Sequence, residues 1–314
     1  MKKRILIYAG ITILLTIIGI GLYLFPEPID NEDNYIQRAD TETRLLTEDI
    51  FDPEPTTRDL LLMSQLAYYS PEQPEIEPGT TVVELADYAL DYINENSDKY
   101  DLILEIIENP KYSNWIIDNT TNQNDTNGLR AFSAATGDGH GIIAYGGTEG
   151  LYEGAFFIDM IDNINMAKAQ PTDQQTAALE FLDEVIIMYD SVDVTGHSKG
   201  GNNAIFASFM LSSATAGSIN NIVTFNAPGF NNEVILNFKN TDFLNNNVTQ
   251  YRAPDDFVSA ILETESIGDT IYAETRETGI GITHSLHTFM FDGDDIILTT
   301  EEQAWFVKLL QLIN

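Results

Sequence analysis

The chain has 314 residues, 43% of them hydrophobic, which is enough for a globular core. It carries 49 acidic residues against 15 basic ones, a formal net charge of −34, so its surface repels nucleic acid and anionic lipid headgroups, and nucleic-acid binding is set aside. It contains no cysteine, which excludes disulfides, thiolate nucleophiles and cysteine metal sites, and only four histidines: His140, His197, His284 and His287.

Residues 1–4 are Met-Lys-Lys-Arg, and Ile5 to Phe25 is a run of 21 residues without a charge. As a helix it spans about 32 Å, close to the thickness of a bilayer core. Basic residues precede it and acidic ones follow, which predicts a cytoplasmic N-terminus and an extracytoplasmic remainder. A cleaved signal peptide is the competing reading; the length of the run and the lack of an Ala-x-Ala-like site oppose it. Residues 26–58 are acidic and carry prolines at 26, 28, 53 and 55. Such a stretch reads as an extended linker. The expected organisation is therefore an anchor over 1–25, a linker over 26–58 and one folded domain over 59–314.

Within that domain, Leu60, Leu61, Met63, Leu66 and Ala67 recur at helical spacing. Thr81–Asn94 and Tyr100–Glu108 read as two more helices, the latter ended by Asn109-Pro110. Residues 118–128 are polar and read as a loop without the spacing of an EF-hand. Leu129–Ala135 and Gly141–Tyr145 predict a hairpin turning through Gly137-Asp138-Gly139-His140, with His140 solvated in the turn. After it comes Gly146-Gly147-Thr148. Residues 149–170 concentrate Leu151, Tyr152, Phe156, Phe157, Ile158, Met160, Ile161 and Ile164, as a core helix or a cover over an apolar cleft would. Asp173–Tyr189 predicts a helix capped by Asp173.

The stretch Val192-Asp193-Val194-Thr195-Gly196-His197-Ser198-Lys199-Gly200-Gly201 then predicts a strand, a sharp turn with Ser198 at its apex, and a helix from about Asn202 to Ser213. Glycines on both sides of the serine let strand and helix approach closely while the hydroxyl is held exposed in a strained backbone. Ile219–Asn226, Val248–Ala253 and Thr270–Glu274 read as further strands. Phe289–Phe291 and Ile296–Leu298 flank a tight turn at 292–295, and a last helix is expected from Thr300 to Leu312. Alternating strands and helices argue an α/β fold with parallel central strands.

A serine hydroxyl needs a base, and the base an orienting acid. In a strand-elbow-helix architecture the order is Ser, Asp or Glu, then His. Only His284 and His287 follow Ser198 with room for an acid between them and the serine. Asp255 and Asp256 stand just past the Val248–Ala253 strand, where the acid belongs. Two oxyanion donors are expected: the N–H of Lys199, next to the nucleophile, and one from the Gly146-Gly147-Thr148 turn, with Thr148 the candidate.

These segments resemble the class 3 (fungal-type) lipases of the α/β-hydrolase superfamily. Ala144-Tyr145-Gly146-Gly147-Thr148 is similar to their Phe-Arg-Gly-Thr oxyanion segment, with Gly146 at the arginine position. Gly196 to Gly201 is similar to their Gly-His-Ser-Leu-Gly-Gly elbow. The lysine variant followed by Asn202-Asn203-Ala204 resembles a bacterial family of lipase-like α/β-hydrolases. Asp256-Phe257-Val258 resembles the lipases' Asp-x-Val, and Gly281-Ile282-Thr283-His284-Ser285 resembles the bacterial family's Gly-x-x-x-His-Asp or closely similar segment, with Ser285 at the aspartate. The resemblance implies an α/β-hydrolase fold, a Ser198–Asp256–His284 triad, and cleavage of small-molecule or lipid esters through an acyl-enzyme, with no metal or cofactor. The rival expectation is a non-catalytic, membrane-tethered binding or scaffold domain.

Overall fold

The computed structural model describes residues 54–72, 77, 79–147, 171–262, 267–279 and 281–300. The expected anchor over 5–25, nearly all of the linker, Thr148, the apolar segment 149–170 and nearly all of the last helix lie outside the described residues. Among those described, no helix is long and apolar enough to cross a membrane.

The core is a seven-stranded sheet whose spatial order follows the chain: β1 (Ile116–Gln123), β2 (Leu129–Gly137), β3 (His140–Tyr145), β4 (Ser191–His197), β5 (Ile219–Phe225), β6 (Val248–Arg252) and β7 (Asp269–Tyr272). β1 to β3 pair antiparallel, and β3 to β7 run parallel. A small hairpin, β8 (Phe291–Asp292) and β9 (Asp295–Ile296), turns through Gly293-Asp294.

Period-two alternation divides the core between the two faces of the sheet. Ile143, Tyr145, Val192, Val194 and Ile222 pack on one face against α4 (Asp173–Val185) and α5 (Lys199–Met210), whose apolar stripes include Ala178, Leu182, Ala204 and Phe209. Ile142, Ala144, Val223 and Phe225 turn to the other face. There α1 (Thr57–Leu66), α2 (Val82–Leu90) and α3 (Asp98–Glu108) cover them with Leu61, Met63, Leu85, Ile103 and Ile106. With strands ordered along the chain and right-handed crossovers, α4 and α5 must share a face. The N-terminal helices cover the other.

Four local expectations need correction. The polar stretch 118–128 is not all loop: β1 runs to Gln123, and only Asn124–Gly128 turn. β1 is an edge strand with part of its surface in water, so a run of Asn and Thr is tolerated there, and threonine suits a strand. His140 is not solvated; it is 8% exposed. Parallel pairing sets it opposite Ser191, whose Oγ lies 2.8 Å from Nδ1, while Nε2 lies 3.2 Å from Asp193 Oδ2. The cap of α4 is Thr172, in a reciprocal capping box with Gln175, and Asp173 is the first helical residue. Finally, α5 starts at Lys199 rather than Asn202, immediately after the serine.

Candidate active site

β4 delivers the chain to Ser198 at φ 55°, ψ −130°, and α5 begins at the next residue. Few non-glycine residues occupy that backbone region, so the surrounding contacts must hold it. Two glycines make the turn possible by having no side chain. A Cβ on Gly200 would stand 2.2 Å from the Tyr145 carbonyl oxygen, and one on Gly196 would stand 2.4 Å from the Gly200 carbonyl carbon. Ser198 N–H donates to the Phe225 carbonyl at 2.9 Å, tying the apex to the end of β5.

The three residues of the expected triad come together. The Ser198 hydroxyl donates to His284 Nε2 at 2.9 Å, and His284 Nδ1–H donates to Asp256 Oδ1 at 2.9 Å. A carboxylate can only accept, so its partner nitrogen carries the proton and Nε2 faces the serine as an acceptor. Asp256 follows the end of β6 and has no exposed surface. It also accepts from Ser259 N–H at 2.8 Å and Val258 N–H at 3.3 Å, so its charge is held by three donors. Ser198 and His284 are 3% and 1% exposed.

The alternatives fall elsewhere. His287 Nδ1 lies 2.8 Å from Ser285 Oγ, and its Nε2 lies 3.3 Å from Asp98 on α3. Asp255 bonds neither histidine among the described residues. Of the two expected oxyanion donors, Lys199 stands at the first position of α5, where an N–H has no intrahelical acceptor; Thr148 lies outside the described residues. No cluster of His, Asp or Glu among the described residues is arranged to hold a metal ion.

Three residues that sequence reasoning gave no role position the histidine. His197 Nε2–H donates to the His284 carbonyl at 2.7 Å. Its Nδ1 must then accept, and the Tyr68 hydroxyl donates to it at 2.7 Å. Burial, and then the neighbouring His284, hold the His197 pKa well below the ordinary histidine value, so the ring is neutral. Asn226, at φ 48° just past β5, donates through Nδ2 to the carbonyls of Thr283 (2.9 Å) and His284 (3.1 Å) and accepts from Ala253 N–H (2.9 Å) through Oδ1. It clamps the ends of β5 and β6 to the histidine loop. An asparagine directly after a strand was a signal, since Asn tolerates the left-handed region. Tyr68, 129 residues from His197, offered none.

A family model described as Mbeg1-like matches residues 106–308, which hold every one of these residues except Tyr68. The chain belongs to the Mbeg1-like family. This chain's mostly parallel sheet with helices on both faces is the α/β architecture that the alternation of strands and helices predicted. No curated protein sequence matches the chain. Among solved structures it is similar to M37 lipase, at 17% identity over 68% of this chain and 71% of that one, with a TM-score of 0.41. It is similar to the nonglycosylated LIP2 lipase of Yarrowia lipolytica, at 13% identity over 69% and 78%, with a TM-score of 0.41. A fungal lipase is similar at 12% identity over 76% and 83%, with a TM-score of 0.43.

Proposed function

We propose that this Mbeg1-like chain is a serine hydrolase of carboxylic esters, lipid esters among them, held at a membrane by residues 5–25 with its hydrolase domain outside the cytoplasm. The observation that carries the reading is the unbroken buried chain from Ser198 Oγ through His284 to Asp256, each link 2.9 Å, set at the apex of a strand-to-helix elbow. His284 takes the Ser198 proton as Oγ attacks the acyl carbonyl, and the proton then passes to the leaving alcohol. Asp256 keeps the imidazole in the required tautomer and stabilises the imidazolium. The Lys199 N–H, together with Thr148, binds the oxyanion; loss of one such donor slows an acyl transfer by about 10²–10³. Water then attacks the acyl-enzyme, again with His284 as base. The apolar residues between Leu151 and Ile164 support a lipidic acyl chain. The uncharged run after Met-Lys-Lys-Arg supports the anchor and its orientation.

Fluorophosphonate labelling of the full chain in detergent, beside Ser198→Ala and His284→Ala, tests the activity. Label that needs both residues is expected. A folded wild-type chain that takes no label refutes the hydrolase and leaves the binding-domain reading. Reagent access to the C-terminal domain in intact cells tests the orientation.

A further inference from the structure

Lys199 follows the nucleophile where the fungal-type elbow carries leucine. Three physical effects oppose a cation there. It is the first residue of α5, where the helix end carries partial positive charge. Its side chain is half-buried, and that burial lowers the ammonium pKa. It has no hydrogen bond or ion pair among the described residues, in a chain with 49 acidic side chains to offer.

A second polar group on the same helix is also without a partner among the described residues. Asn203 is 0% exposed, and neither its amide oxygen nor its nitrogen is hydrogen-bonded among the described residues. Residues four apart on a helix are neighbours, so the two side chains share one flank. Which flank follows from the glycines between them. Gly200 faces Tyr145 and Gly146, at the end of β3, and Gly201 faces Thr224 and Ala227, at the end of β5. At 3.6 residues per turn, Lys199 and Asn203 lie on the β3 side of α5. That is where the chain leaves β3 through Gly146 and Gly147.

An ester carbonyl attacked by Ser198 sits against the Lys199 N–H, within reach of a lysine's own four-carbon stem. A negative charge on the substrate a few bonds from that carbonyl would offset the helix-end repulsion, the desolvation and the lack of a partner among the described residues together. Resting on the serine-hydrolase reading, we propose that Lys199 and Asn203 form an anion subsite beside the scissile ester, selecting substrates that bear a carboxylate or phosphate close to the reacting carbonyl. The charge can sit on the acyl side or on the alcohol side.

Two matched substrate pairs test this with the full chain in neutral detergent. The acyl-side pair is 4-nitrophenyl butyrate against mono-4-nitrophenyl glutarate. The alcohol-side pair is a monoacylglycerol against the lysophosphatidic acid of the same chain. The readout is the anionic-to-neutral ratio of kcat/KM in the wild type divided by that ratio in Lys199→Met, so intrinsic substrate reactivity cancels. One pair is expected to give about tenfold or more, the size of a hydrogen bond to a charged group, and the pair that responds names the side. Asn203→Leu should lower the same ratio in part. Lys199→Gln replaces the methionine variant if that one does not fold. A ratio near one for both pairs, in an enzyme that fluorophosphonate labels at Ser198, overturns the subsite and leaves the hydrolase standing. No label and no turnover of any ester overturns both.

Discussion

Asn226 offers the sharpest test of how the site is held. Its side chain spans three backbone groups, and its backbone is left-handed at φ 48°. Truncation leaves Ala253 N–H without its acceptor, in a residue with no exposed surface. An unsatisfied buried donor costs about 1–3 kcal/mol. The two carbonyls lose less. His284 C=O keeps the His197 Nε2–H at 2.7 Å, and Thr283 C=O keeps the Thr288 hydroxyl at 3.4 Å. Together they add about 1 kcal/mol. Asn226→Gly adds a further ~0.5–1 kcal/mol of unfolded-chain entropy, for a total of about 2.5–5 kcal/mol. Asn226→Ala replaces that entropy with about 1–2 kcal/mol of left-handed strain, so it should be less stable than the glycine variant by about 1 kcal/mol. Urea unfolding read by tryptophan fluorescence measures both. The histidine loop is expected to loosen as well, lowering ester kcat/KM beyond the loss of folded protein. An Asn226→Gly variant within about 1 kcal/mol of wild type, with unchanged kcat/KM, would refute the clamp.

Asp256→Asn should fold and lose about 10⁴ in kcat, because a carboxamide no longer requires a proton on Nδ1 and the base faces the serine in the wrong tautomer; an ester assay on the purified variant decides this. Gly200→Ala should not fold to an active state, since its Cβ meets the backbone oxygen of Tyr145 at 2.2 Å and only main chain can yield; a cooperative wild-type-like unfolding transition would contradict this. His197 makes stability fall in acid. Its folded pKa lies below the ordinary value of about 6.5, so the unfolded chain binds the extra proton as pH drops through that value. The contribution is full above about pH 6.5 and is lost below it, by up to about 1.4 kcal/mol per pH unit. Unfolding free energies of wild type and His197→Gln between pH 7.5 and 5 should diverge in slope, and parallel slopes would exclude His197 as the titrating group.

What could be read from the sequence was what is decided over short spans. The elbow was legible because its steric demand is met within six residues: Gly196 and Gly200 approach each other while Ser198 takes the strain. The apolar repeat of α4 was legible because one helix face is buried along its whole length. β1 was not, because an edge strand needs few apolar residues and its polarity looks like that of a loop. His140 was misread for a related reason. A turn position suggests solvent, but the parallel register of β3 with β4 lays it beside Ser191 and Asp193.

The site divides along the same line. Ser198 followed from local geometry, whereas Asp256 and His284 were separated from Asp255 and His287 only through resemblance to known segments. Nothing in the spacing of Asp255 and Asp256 distinguishes them; the distinction arises because Asp256 meets the N–H groups of Val258 and Ser259 and so aims one oxygen at the histidine. The supporting residues are further removed still. Tyr68 follows the first helix, His197 ends β4, Asn226 follows β5 and His284 lies beyond β7, and they meet only because sequential parallel strands bring their carboxyl ends to one edge of the sheet. In such a sheet the nucleophile can be found from its neighbours in sequence, but the groups that orient its base can be found only from the order of the strands.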